Sequence, residues 1–585
     1  MIYIMNRFFL LSCSLLALTS CDEGSIPTSW ADMKQFFYEQ LMPAPSDEIS
    51  FYMPQDLIRP EQTVTGSYLA SRFAQNNGDW SSAGKFINDI LEDAPDNVDF
   101  RRKAMILAMG AGRYSDALAS AKSLVVARDQ GSLAYLLLTL ESFKDGDVEK
   151  TLAQLRGIPQ DGIGEFIAPL ITGWTFAFKG ETNIAGLTSN PVHLFHAVLI
   201  ADFLNDRAAL VGLTKHDFTS MGLSPDLLKQ LETIFIKHDL KIDARKIREK
   251  LVSYGVDNAN TPSLTALPIT TARDGLAQAL YDMGSMLYTG YGDSARIFAH
   301  MSLYLNPAHI DARILLAQMA TDVGRVDESI SLYQKINTNG NPELAVKVER
   351  QIADLLEQTN KESAAIRVLK QLVSVSKNID AQIQIGDIYR RHDDFENALK
   401  EYNIAASMIG EPIPKAHWQL LYARGMTYER LKKWDKAEAD LKAALAFEPD
   451  HPYILNYLGY SWADQGVNLP KAAEMIERAV QLQPNDGYIV DSLGWVYYRM
   501  KDYPRALKYL ERAVELMPYD PTINDHLGDA YWRMNRKNEA RFQWKRALSF
   551  KPDDEQRALI EEKIKQGLTD KRSAAPLPTS LSSQP

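Results

Sequence analysis

The chain has 585 residues, which is too long for one compact core and favours either several globular domains or one elongated array. Hydrophobic residues make up 45% of it and charged residues 24%, as in an ordinary folded protein. The 64 basic and 75 acidic residues give a net charge of −11, so no overall positive field favours nucleic acid as a partner.

The amino-terminal segment is typical of an export signal. Arg7 precedes the apolar run Phe8–Leu18, which is too short to span a bilayer as a helix. The next residues, Leu-Thr-Ser-Cys21, resemble the bacterial lipobox, in which a signal peptidase cuts before a cysteine that carries lipid. We therefore expect a signal peptide over residues 1–20 and a chain anchored through lipidated Cys21 on the periplasmic side of the envelope membranes. An incidental Cys21 after an ordinary signal peptide is the alternative.

Residues 21–66 hold several prolines and acidic residues, which predict a tether between the lipid anchor and the folded part. Residues 67–254 then predict a degenerate array of helical hairpins, with small residues Ala83, Ala117 and Thr151 at equivalent places in the second helices. The repeat pattern is blurred from Gly173 to Tyr254. Asparagine, proline, serine and threonine residues between 255 and 271 predict a linker.

Small residues recur in register over residues 272–553. In the first helix of each predicted hairpin they are Gly284, Ala317, Ala353, Gly386, Gly425, Gly459, Gly494 and Gly528. In the second helix they are Ala295, Ser329, Ala365, Ala398, Ala437, Ala472, Ala506 and Ala540. Small residues let two antiparallel helices approach closely, so the sequence predicts a second, more regular array. A charged segment, 554–568, predicts a capping helix, and residues 569–585 predict a disordered tail.

Two copies of one pattern stand out near the carboxyl end. Leu493, Gly494 and Tyr497 are followed by Ala506, Leu510, Ala513 and Pro518, and an equivalent set recurs 34 residues later. This pattern resembles the tetratricopeptide repeat. The resemblance implies an all-α superhelical solenoid of stacked antiparallel helix hairpins. It also implies that the first helix of each hairpin lines a concave groove that binds a peptide or a helix of another protein.

The positions beside the packing residues of the first helices are the candidate groove lining, rich in aromatic residues and arginine, which are common in interface hot spots. They are Tyr422, Arg430, Asn456, Tyr460, Asp491, Trp495, Tyr498, Arg499, Asp525, Asp529, Trp532 and Arg533. The alternative is that some of these aromatic side chains, notably Trp495 and Trp532, pack against the next repeat.

The predicted function is that of a protein–protein interaction scaffold or adaptor of the bacterial envelope, acting on assembly, secretion or cell-wall machinery. We expect no enzymatic activity, cofactor or metal, because the sequence lacks the nucleotide, zinc and nucleophile motifs. His193 and His196 are one helical turn apart, a spacing that could hold metal but lacks a third ligand nearby. The alternative is an envelope enzyme, or an accessory subunit of one, with an unrecognised site within residues 173–254.

Overall fold

The computed structural model describes residues 63–129, 131–159, 163–187, 190–256 and 269–568. The predicted signal peptide, Cys21, most of the tether, most of the linker and the carboxyl-terminal tail lie outside these ranges. Within them the secondary structure is helical and contains no strand. The predicted all-α fold class, a solenoid of stacked antiparallel hairpins, is confirmed.

The chain divides into two compact units, Met1–Val348 and Glu349–Pro585. The helices of the first unit are α1 (Val64–Asn76), α2 (Trp80–Asp93), α3 (Val98–Gly110), α4 (Tyr114–Val126), α5 (Ser132–Asp145), α6 (Val148–Leu155), α7 (Ile163–Phe178), α8 (Pro191–Phe203), α9 (Arg207–Leu213), α10 (Pro225–Lys237), α11 (Lys241–Ser253), α12 (Ala272–Leu287), α13 (Gly292–Leu305), α14 (Ile310–Asp322) and α15 (Val326–Gln334).

Helix α16 (Pro342–Gln358) contains the division between the units. The helices of the second unit are α17 (Glu362–Ser376), α18 (Ile379–Arg391), α19 (Phe395–Ile409), α20 (Trp418–Arg430), α21 (Trp434–Phe447), α22 (Pro452–Gln465), α23 (Leu469–Leu482), α24 (Gly487–Arg499), α25 (Tyr503–Leu516), α26 (Pro521–Arg533), α27 (Lys537–Ser549) and α28 (Asp554–Gln566), with a short 3₁₀ turn at Lys415–His417.

Side chains at the helix starts fix where the hairpins begin. Asp486 accepts a hydrogen bond from the Ile489 amide at the start of α24 (3.2 Å), and Asp520 accepts one from the Ile523 amide at the start of α26 (3.0 Å). Each carboxylate satisfies a helix N–H that has no partner within the helix. The repeat therefore includes its own start signal as well as its packing residues.

The two helices of a hairpin touch along a seam of small residues. The predicted second-helix positions, from Ala295 to Ala540, are all fully buried. A methyl group on Gly284, Gly425 or Gly459 would stand 3.1–3.3 Å from the carbonyl oxygen of the small residue opposite, which is Ala295, Ala437 or Ala472. Backbone meets backbone at these points, which is the close approach that the small residues predict.

The first unit closes on itself through contacts between distant parts of the chain. The Gln75 amide donates to Asp293 (2.8 Å), and the Arg296 guanidinium donates to the Gly110 carbonyl (2.6 Å), so α1 and α3 meet α13. Helix α12 packs on α7 and α8, with Gly275 against the Trp174 ring.

These contacts differ from the predicted division at residues 255–271. Helices that follow the linker complete the core of helices that precede it, so the compact units divide between Val348 and Glu349 instead. Within the described ranges no helix has both the length and the apolar character needed to cross a bilayer.

Candidate functional site

The predicted groove residues lie on the first helices α20, α22, α24 and α26, and we call their shared side the first-helix face. These helices are buried around their whole circumference over residues 420–429, 454–463, 489–498 and 522–531. Each packs on its own hairpin partner, and α24 also contacts α22 and α26. The face is therefore closed in by neighbouring repeats along most of its length.

The twelve predicted residues fall into two groups by exposure. Those that are buried are Tyr422, Asn456, Tyr460, Asp491, Trp495, Tyr498, Asp525 and Asp529. Those that reach solvent in part are Arg430, Arg499, Trp532 and Arg533. Whether either group contacts a partner protein stays a prediction.

Trp495 joins two consecutive repeats. Its ring stacks on Tyr498 of the same helix, with centroids 4.8 Å apart, and on His526 of the next first helix, 4.1 Å away. Its side chain is fully buried. In this structure Trp495 packs against the next repeat, as the packing alternative expects.

Trp532 is held at the end of the array. The Lys537 ammonium lies 3.7 Å from the centre of its indole ring, and the Arg541 guanidinium lies 5.2 Å away. A methyl group on Gly567 would clash with the same ring, so the chain after α28 covers one side of it. Trp532 thus contacts α27 and the residue that follows α28 rather than a further hairpin.

A buried histidine–aspartate pair links the last two first helices. His526 Nδ1 lies 3.0 Å from both carboxylate oxygens of Asp491. Burial lowers the pKa of His526, but the charge and hydrogen bond of Asp491 outweigh burial, so this pKa is raised above its ordinary value. The pair stabilises the stacking of one repeat on the next.

Helix α28 supplies a cation to the last hairpin. The Lys563 ammonium donates to Asp525 (2.7 Å) and to Asp529 (2.9 Å), and the Trp544 indole also donates to Asp529 (2.9 Å). Burial raises the pKa of Asp529 to about 6. Burial would lower the pKa of Lys563, but the two carboxylates outweigh it and raise this pKa. Lys563 was not among the predicted site residues, although it follows Asp529 by one 34-residue repeat step.

Four charged residues form a periodic row where the first helices end. Arg430, Asp464, Arg499 and Arg533 follow each other at steps of 34, 35 and 34 residues, and each is partly exposed. Arg499 donates to the Asp464 carbonyl (2.7 Å), and Arg533 donates to the Tyr498 hydroxyl (3.3 Å). We call these four residues the charged row. Asp464 is the fourth member of the charged row, and its spacing from Arg430 and Arg499 identifies it in the sequence.

The first-helix face also has buried polar atoms without a hydrogen-bond partner among the described residues. They belong to Asn456 (both amide atoms), Tyr460 (hydroxyl), Trp495 (Nε1) and His526 (Nε2). A buried polar group left unpaired costs about 1–3 kcal/mol. This face therefore has hydrogen-bonding capacity that its own side chains do not use.

The two histidines of the blurred region lie in the core of the first unit. His193 Nε2 is 2.7 Å from the Phe166 carbonyl oxygen. His196 Nε2 is 3.0 Å from Asp282, and its Nδ1 accepts from the Trp174 indole at 3.4 Å. The two histidine side chains pack in this core, and each forms a hydrogen bond there. Across the described ranges no three histidine, cysteine or carboxylate side chains converge as a metal site would require.

The stacked hairpins, the seam of small residues and the charged row at steps of 34 and 35 residues define a helical-repeat protein. Models of the tetratricopeptide repeat match residues 422–487, 490–520 and 522–554. Residues 422–554 therefore carry tetratricopeptide repeats, and such repeats imply a scaffold for protein–protein interaction.

A TPR repeat-containing protein of Pseudomonas aeruginosa is 30% identical over 192 residues, covering 32% of this chain and 31% of that protein. The chain thus matches about a third of the length of this curated relative. A chain of the Cut9–Hcn1 hetero-tetramer of the APC/C aligns with 87% of this chain and 97% of its own length, at 16% identity and a TM-score of 0.38. Yeast Tom70 aligns with 86% and 95%, at 14% identity and a TM-score of 0.28.

Proposed function

We propose that this protein is an interaction scaffold of the bacterial envelope that holds a peptide or helix of a partner protein along the first-helix face of its second unit. The observation that carries the proposal is the charged row, three arginines and one aspartate at equivalent positions of consecutive repeats. An extended partner segment would meet a charged side chain at each repeat step, an arginine at three of the four, so one segment would contact several hairpins at once.

The chemistry of the row favours a partner that offers carboxylates or backbone carbonyls. Arginine presents a planar fork of donors that matches carboxylate geometry, and arginine is enriched in interface hot spots. The side chains of Arg430 and Arg499 are 22% and 17% exposed, so each is held in place by its surroundings yet reachable.

The experiment compares two double variants in pull-downs from envelope extract, with captured proteins quantified by mass spectrometry. Arg430→Ala with Arg499→Ala truncates the row, whereas Arg478→Ala with Arg505→Ala truncates exposed arginines of the second helices α23 and α25. Proteins lost from the first variant and retained by the second would support the proposal. Equal capture by both variants would refute it. Trp495 is left intact because its truncation would disrupt repeat stacking.

The envelope location rests on the lipobox resemblance at Cys21. We propose that the mature chain begins at this residue and is held at a membrane by lipid. Growth with a labelled fatty acid should label the natural protein, and Cys21→Ser should abolish the label and release the protein from the membrane fraction. Retention of the label in Cys21→Ser would refute lipidation at this position, independently of the outcome for the charged row.

A further inference from the structure

The last hairpin carries a concentration of positive charge that the rest of the chain does not share. The segment Arg536–Lys551, which contains α27, has six basic residues and a single acidic one, Glu539. The equivalent segment of the preceding hairpin, 502–517, has three basic and three acidic residues. In a chain of net charge −11 this contrast marks one surface as electrostatically distinct.

Most of these cations have no carboxylate partner. Arg536 pairs with Glu539 (3.0 Å) and lies 3.7 Å from Glu511. Both of these carboxylates are therefore partners of Arg536. Arg541, Lys545 and Lys551 form no ion pair among the described residues. Their positive field is therefore directed to solvent, where a partner can meet it.

Lys537 shows that the cations crowd one another. Burial lowers its pKa, and the neighbouring charges of Arg533 and Arg541 lower it further. Its ammonium lies over the Trp532 ring and donates to the Trp532 carbonyl (2.9 Å). Since like charges gathered in this way repel each other, an anionic surface that neutralised them would be favoured.

Aromatic side chains stand exposed among the cations. Phe542, on α27, is 60% exposed, and Tyr519, in the preceding turn, is 76% exposed. The Tyr519 ring contacts Phe550, with centroids 5.6 Å apart. We call Lys537, Arg541, Phe542, Lys545 and Lys551 the basic face. Exposed aromatic rings beside cations are the composition of helices that lie at a lipid–water interface.

We propose that the basic face docks on an anionic lipid surface. A bilayer offers a broad layer of phosphates for the lysines and arginines, together with an apolar boundary that Phe542 can enter. An acidic protein segment would satisfy the charges but would leave Phe542 in water unless it also brought an apolar contact. The proposal does not depend on lipidation of Cys21 or on the charged row, because the residues of the basic face lie on the second helix α27 and just after it and act through their own charges.

The test measures co-sedimentation with vesicles of phosphatidylcholine alone and of phosphatidylcholine mixed with phosphatidylglycerol. It uses the chain Asp22–Pro585, which lacks Cys21 and keeps every residue that the structure describes. We expect binding to the mixed vesicles that weakens as salt is added, and none to phosphatidylcholine alone. Lys545→Glu with Lys551→Glu should weaken binding roughly thirtyfold or more, since each lysine near an anionic surface contributes about a factor of five.

The matched control is Lys501→Glu with Lys508→Glu in the preceding hairpin. It changes net charge by the same amount, and Lys501 has a left-handed backbone conformation (φ 64°) like that of Lys551 (φ 55°). This control should bind as the natural chain does, and Phe542→Ser should bind more weakly at unchanged salt dependence. Equal losses in the two lysine variants would overturn the proposal. So would the absence of vesicle binding alongside retained binding to polyglutamate, which would assign the face to an acidic protein.

Discussion

Gly528 shows how tightly two helices of one repeat are packed. A methyl group at this position would stand 2.4 Å from Trp544, whose indole is fixed by its hydrogen bond to Asp529. Gly528→Ala should therefore lower the free energy of unfolding by about 1–3 kcal/mol, although alanine is the better helix former by about 1 kcal/mol. Chemical denaturation followed by circular dichroism measures the change.

Gly212 provides the control for this substitution. It lies near the end of α9, and a methyl group there would have no neighbour within 4 Å. Gly212→Ala should leave stability unchanged or raise it by up to about 1 kcal/mol. A destabilisation as large as that of Gly528→Ala would show that the effect does not come from the hairpin seam.

His300 predicts acid sensitivity of the first unit. Burial, with the nearby charges of Arg296 and Arg313, lowers its pKa to about 3. Between an unfolded pKa near 6.5 and this value, the unfolded chain takes up a proton that the folded chain does not. Stability is therefore complete above pH 6.5 and falls by about 1.4 kcal/mol per pH unit for this histidine as pH decreases.

Thermal unfolding followed from pH 7 to pH 4.5 tests this expectation. The natural chain should lose stability steadily as pH falls, and His300→Leu should lose it less steeply. The slope in the variant should not vanish, because burial also lowers the pKa of His193 and of His309 to about 4. Parallel pH profiles for the two proteins would contradict the assignment to His300.

Sequence reasoning predicted the small residues well and the large ones less well. Ala437 and Ala472 are where the repeat pattern places them, because only a small side chain fits between two touching backbones. Trp495 stacks on His526 of the next first helix, and this contact depends on how closely α24 and α26 approach. That distance is set by the packing of whole repeats and is not encoded in the spacing of one residue.

Among the elements, α28 has few buried side chains to hold it on the last hairpin. It has one fully buried apolar residue, Ile560, and its Lys563 neutralises two buried carboxylates. Lys563→Met should destabilise the last hairpin by about 3–5 kcal/mol, because Asp525 and Asp529 would be left as buried charges without a cation. Hydrogen exchange of the α26 and α27 amides would measure the loss locally.

Two variants separate charge from packing in α28. Lys565→Met changes an exposed lysine of the same helix and should leave amide protection as it is. Adding Asp525→Asn and Asp529→Asn to Lys563→Met should restore most of the protection, since the amides carry no charge to bury. Failure of this rescue would mean that Lys563 stabilises the hairpin through its aliphatic stem.

At the scale of the whole molecule, many contacts of the second unit follow the repeat period, whereas the first unit also closes through contacts that do not. Several polar contacts between repeats of the second unit join residues 34 or 35 positions apart, as Asp491 and His526 do, so the repeat period predicts them. In the first unit Arg296 and Gly110 meet across 186 residues of chain. No repeat period predicts such a contact. The composition of residues 255–271 therefore predicts a linker between two arrays, although helices on its two sides share a core.

The position of that division can be tested with two fragments. Residues 341–585 retain Asn341, whose side chain caps the start of α16 by accepting from the Leu344 amide (3.0 Å), and contain the whole second unit. We expect this fragment to unfold cooperatively.

Residues 272–585 add α12 to α15 but lack α3, α7 and α8, against which α12 and α13 pack. The amides of α12 and α13 should then exchange freely in this longer fragment and be protected in the full chain, because Leu276 and Leu280 would lose the apolar neighbours that bury them. Protection of α12 in the longer fragment would instead favour residues 255–271 as the true boundary.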